Sequence, residues 1–118
     1  MTAKEVITKA LLLLGYADNV GNTSDSRFQV VSKNAVNFVL ADLIHCLGQD
    51  DYCDITSLAD ELKLPKRVLY DVMPYGVASF IAESVGDGEK QQFYANMYNT
   101  KRKTVVYSDT IKDVIPAP

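Results

Sequence analysis

His45 and Cys46 stand side by side, and a histidine next to a thiol is the first arrangement in this chain that suggests chemistry. Adjacent residues of a helix point in different directions, so a Cys-His relay is not set up by this spacing. No second histidine is present to share a metal, and a helix-surface or subunit-contact role is expected for His45. Cys46 and Cys53 are too few for a disulfide framework or a zinc site, and free thiols are expected. The acids Asp50, Asp51, Asp54, Asp60 and Glu61 suggest a cation site or an acid pair, yet they lack the alternating spacing and closing glutamate of a calcium loop. Gly86-Asp87-Gly88 offers backbone N–H groups at a helix start without the Gly-Lys-Ser/Thr of a phosphate loop, so a cap is expected there. Ser24, Ser32, Ser57, Ser79, Ser84 and Ser108 have no nucleophile-elbow context. No catalytic, cofactor-binding or metal-binding residue is assigned, no cofactor is expected, and the chain is not expected to be an enzyme.

Two further groups bear on nucleic acid. Lys63, Lys66, Arg67 and Lys101 to Lys103 would contact phosphate if the fold gathered them, and Tyr94 and Tyr98, at i and i+4, would make a stacking platform for single strands. The 12 basic and 15 acidic residues leave a net charge of −3, which is not the footprint of a phosphate-binding surface. Solvated helix ends and core or interface packing are the expectations for these two groups.

The elements that must position these residues are helices. The length, 118 residues, suits one domain with a real core, and the 47% hydrophobic and 23% charged content is that of an ordinary globular protein. The N-terminus does not resemble a signal peptide, and the longest apolar run, Ala10 to Leu14, is far short of a bilayer span, so a soluble protein made in the cytosol is expected. Thr2-Ala3-Lys4-Glu5 fits a capping box, after which Val6, Ile7, Ala10, Leu11 and Leu14 make one helical stripe. Leu12 and Leu13 widen that stripe beyond what one partner helix would cover, and Gly15 is a left-handed stop.

Tyr16 to Thr23 reads as a loop, and Ser24 or Asp25 caps a second helix from about Ser26 to Leu47. Its apolar residues fall on two faces, one with Phe28, Val31, Ala35, Phe38, Val39, Leu43 and Cys46 and one with Val36, Leu40 and Ile44. A helix apolar on two sides is central or faces another subunit, and Asn34, Asn37 and Asp42 among those faces need hydrogen-bond partners. Gly48 ends it, an acidic connector follows, Ile55 to Leu58 suggests a short extended segment, and Ser57 caps a turn through Leu62.

Pro65 is expected at the first position of a third helix, whose pattern Val68, Leu69, Val72, Met73, Gly76, Val77, Phe80, Ile81 and Ser84 is kinked or split at Pro74. Gly76, Ala78, Ser79 and Ala82 let another backbone come close, and Gly86-Asp87-Gly88 turns the chain into a last helix. That helix carries Phe93, Tyr94, Met97, Tyr98 and Val105, with Lys101 to Lys103 near its C-terminal dipole. The expected fold is all-α, a compact bundle of four main helices over residues 1–107, followed by an extended, proline-containing C-terminal tail over 108–118.

This layout resembles the head-tail connector (adaptor) proteins of tailed bacteriophages and prophages, most of all those of Gram-positive hosts. The residues that carry the resemblance run from Ile55-Thr56-Ser57-Leu58 to Leu64-Pro65, through Met73-Pro74-Tyr75-Gly76-Val77-Ala78, to Ala82 with Gly86-Asp87-Gly88 and the Phe93 to Asn99 face with Lys101-Arg102. It implies a structural virion protein of the phage neck, made in the host cytoplasm and monomeric in isolation. In the virion about twelve copies would form a closed ring below the portal and meet neck or tail proteins. DNA would pass through the channel without specific binding, and no membrane is involved. Met73, Pro74 and Tyr75 at the bend and Val114, Ile115 and Pro116 in the tail are the candidate subunit or partner interface. A small helix-turn-helix DNA-binding module of a prophage is the alternative.

Overall fold

Thr2 begins the first helix as its residue type dictates. Its hydroxyl accepts from the Glu5 N–H at 3.3 Å, and the Glu5 carboxylate accepts from the Thr2 N–H at 3.4 Å, a complete capping box. Helix α1 spans Ala3–Leu14, α2 Ser26–Cys46, α3 Lys66–Asp71, α4 Met73–Ser84 and α5 Gly88–Val114. The structure, a computed structural model, describes residues 1–15, 26–49 and 54–114, with side chains of 26–28 and 106–114 excepted. Among the described residues there is no strand, only an isolated antiparallel bridge between Thr2 and Glu61. The fold is an all-α bundle of four main helices, the third divided into α3 and α4.

The division falls at Val72, whose φ of −113° departs from helical geometry, and Pro74 then occupies the second position of α4. An N–H missing from the first turn of a helix leaves no intrahelical bond unmade, so the proline is tolerated after the break rather than at a kink. Pro65 sits one position earlier than expected, as the N-cap of α3, where its carbonyl accepts from Val68 and Leu69. Gly15 and Gly86 end α1 and α4 at φ of 77° and 78°, the left-handed conformation that favours glycine. Asp87 then caps α5, accepting from the Lys90 N–H at 3.2 Å.

Helix α4 is the hub and packs on α1, α2, α3 and α5. Its Val77, Ala78, Ile81 and Ala82 are fully buried against residues such as Ile7, Leu11, Val36, Val39 and Leu43. Both apolar faces of α2 are used: Ala35, Val39 and Leu43 are buried, and so are Val36, Leu40 and Ile44. Val31 and Cys46 of the first face are half-buried, and Phe38 points outward, 64% exposed.

The connector does not form the extended segment expected at Ile55 to Leu58. It folds into a turn in which Asp60 N–H donates to the Ser57 carbonyl at 3.1 Å and the Ser57 hydroxyl accepts from Ala59 at 3.2 Å. The Asp60 carboxylate accepts from the backbone N–H groups of Thr56 and Ser57, which hold its pKa below the usual carboxylate value. This turn then caps α1, because the carbonyls of Leu58 and Asp60 accept from Lys4 and Ala3 at 2.9 and 3.1 Å. Those N–H groups belong to the first turn and have no partner inside their own helix.

The last helix is longer than its sequence pattern suggests. It runs to Val114, seven residues past the expected boundary at 107, because Ser108 to Val114 contains neither proline nor glycine, and the proline constraint begins only at Ile115, the residue before Pro116. Lys101 to Lys103 therefore lie mid-helix, away from the C-terminal dipole. Of the tail expected to be extended over 108–118, Ile115 to Pro118 lie outside the described residues.

Candidate functional site

The sequence candidates for chemistry are dispersed by the fold. His45 is exposed at the end of α2, and Cys46 is half-buried beside Asp42 and Arg102. Burial, then the Asp42 charge, push the Cys46 thiol up, which keeps it protonated and a poor nucleophile. Cys53, Asp50 and Asp51 lie outside the described residues, Asp54 and Glu61 are exposed, and Asp60 is occupied in its turn. Among the described residues no three acidic, histidine or cysteine side chains converge on a metal position.

The basic residues are partly gathered, and two of them, Lys101 and Arg102, have carboxylate partners. Arg67 and Lys101 line one shallow groove of about 170 Å³ between α3 and α5, with Asp71 in the same lining and 4.0 Å from the Lys101 ammonium. The Arg102 guanidinium donates to Asp42 at 2.7 Å. Carboxylates thus already face two of the cations that a phosphate would use.

The tyrosine pair turns inward and forms no stacking platform. Tyr98 donates its hydroxyl to Asp42 at 2.5 Å while Arg102 lies 5.5 Å from its ring centre. Burial first, then the hydrogen bond to Asp42 and its charge, hold the Tyr98 hydroxyl far above the ordinary tyrosine range. Tyr94 donates to the Leu13 carbonyl at 2.5 Å, and the Lys90 ammonium donates to the Leu14 carbonyl at 2.9 Å. Two side chains of α5 therefore satisfy the last carbonyls of α1, a capping role with no local sequence signal because the partners are 76 and 81 residues apart.

What the surface offers instead is apolar and aromatic. Phe38 of α2 stacks on Phe80 of α4 with centres 5.6 Å apart and planes 16° from parallel, and both rings remain open to solvent. On another part of the surface, Leu12 and Leu13 of α1, Tyr70 of α3 and Pro74 and Tyr75 of α4 line a groove of about 360 Å³. The Lys9 ammonium sits 4.3 Å from the Tyr70 ring centre and Lys101 sits 4.8 Å from that of Tyr75, so each cation rests on an aromatic face at the rim. Tyr75 also packs against Tyr94, and Phe93 meets Tyr94 edge-on while staying exposed, against its expected place on the buried face.

Of the candidate interface residues at the bend, Tyr75 is half-buried in this groove and Pro74, itself buried, forms part of its floor. Met73 is not part of the groove: on the apolar face of its helix, it is fully buried in the core and presents nothing to a neighbour. The backbone of Val114 ends α5, and Ile115 and Pro116 lie outside the described residues.

Set beside known proteins, the chain matches no family model, no curated protein and no solved structure. No helix among the described residues is long and apolar enough to cross a membrane.

Proposed function

We propose that this chain is a structural virion protein, a head-tail connector subunit that assembles into a ring below the portal in the neck of a tailed phage. The observation that carries the reading is the outward aromatic surface. Helix α2 buries Ala35, Val36, Val39, Leu40, Leu43 and Ile44 within its own bundle and still turns Phe38 outward onto Phe80. Apolar area left over after a core is complete is what a subunit brings to a neighbour. The resemblance of the helix order and of the Leu64-Pro65 and Met73 to Ala78 segments to phage adaptors supports the same reading. The acidic average charge suits a channel through which DNA slides, since a phosphate-gripping lining would make salt-sensitive contacts.

Electron microscopy of the purified protein mixed with a portal complex from a tailed phage of the same genomic neighbourhood tests this directly. Added density stacked on the portal as a closed ring is the expected result. A portal that stays bare at saturating protein sinks the proposal.

A further inference from the structure

The groove of Leu12, Leu13, Tyr70, Pro74 and Tyr75 has the chemistry of a proline-segment site. Tyrosine faces and a proline line it, and a polyproline-type segment arrives with little conformational entropy left to lose. The chain itself contains such a segment, Ile115-Pro116-Ala117-Pro118, with two prolines separated by a small apolar residue. We propose that the groove of one copy binds Ile115 to Pro118 of a second copy.

Reach excludes the same copy. Lys101 rests on the Tyr75 ring and so marks the level of the groove along α5. Val114 lies thirteen positions further along the same helix, about 20 Å at 1.5 Å per residue. The four residues that follow span at most about 14 Å when fully extended, so they cannot return to their own groove. Charge favours the contact as well: Lys9 and Lys101 stand at the groove, and Asp109 and Asp113 precede the docking segment in sequence. A groove that receives the next copy's tail is a heterologous contact, which closes into a ring or runs on as a filament according to the rotation between copies. The inference needs only copies of this chain and stands or falls apart from any portal.

Sedimentation of the full chain over a concentration series into the millimolar range tests it with two classes of variant. Leu12→Glu damages the groove at a residue 59% exposed, Tyr70→Ser does so at a second exposed position, and Ile115→Asp damages the tail. Wild type, monomeric at low concentration, is expected to self-associate in an open-ended series toward the millimolar end, and each variant alone to associate at least about tenfold more weakly. An equimolar mixture of Leu12→Glu and Ile115→Asp is expected to form pairs and nothing larger, because it contains one intact groove and one intact tail per pair. Circular dichroism showing native helix content in each variant keeps misfolding out of the comparison. Association unchanged by the groove variants, which would mean that another segment or another protein covers the groove, overturns the proposal. So does a wild type that stays monomeric throughout, or a mixture that fails to pair.

Discussion

Tyr98 shows how one residue is held from several sides. Its ring closes over Gly76, where an added Cβ would stand 2.9 Å from the ring edge and 3.0 Å from a Val39 methyl, and its hydroxyl is anchored to Asp42. Gly76→Ala gains about 1 kcal/mol of helix propensity and loses about 1–3 kcal/mol to overpacking, since the anchored ring cannot swing away. A net loss of about 1 kcal/mol is expected, read as a lowered urea midpoint with unchanged slope. The raised pKa of Tyr98 sets an alkaline dependence. The folded chain keeps this proton where the unfolded chain releases it, so the contribution is complete below about pH 10 and is lost as pH rises above it, at about 1.4 kcal/mol per unit. Tyr98→Phe is expected to flatten that slope by about the same amount, measured by denaturation at a series of alkaline pH values.

At the scale of elements, the connector and the divided helix matter most. Asn37 of α2 accepts from the Ile55 N–H at 2.8 Å and donates to the Ile55 carbonyl at 3.3 Å, so a single amide replaces the strand partner that this part of the connector lacks. Asn37→Ala is expected to cost about 1–2 kcal/mol and to speed hydrogen exchange at the Ile55 amide about tenfold, a change confined to residues 54–62. Pro74→Ala restores an N–H that would let α3 and α4 join. The monomer is expected to change by about 1 kcal/mol or less, while assembly with a portal weakens because the groove wall moves; equal assembly by both proteins in sedimentation would refute this.

For the whole molecule, the longest dimension is 52 Å against a thickness of 18 Å, and α5, with 27 residues, is its longest helix. Two aromatic surfaces, Phe38 with Phe80 and the groove of Tyr70 and Tyr75, stay open on the bundle. Phe38→Glu is expected to cost the monomer only the stacking on Phe80, about 1 kcal/mol, and to abolish ring formation on a portal. Thermal unfolding and electron microscopy together separate those two effects.

The sequence by itself determined what depends on neighbours along the chain. The Thr2 to Glu5 capping box, the left-handed glycines at 15 and 86, the Asp87 cap, the break beside Pro74 and the apolar stripes all follow from residue types a few positions apart. Even the surplus of Leu12 and Leu13 was legible, and both line the groove. The tertiary structure alone decided which apolar residues stay outside, as Phe38, Phe80 and Phe93 do, and which candidate interface residues at the bend are buried, as Met73 and Pro74 are. It alone paired Tyr98 with Asp42, Tyr94 with Leu13 and the connector with both α1 and α2. Periodicity reports that a face is apolar, but what covers that face is set by elements far away in the chain, and no local spacing encodes their arrival.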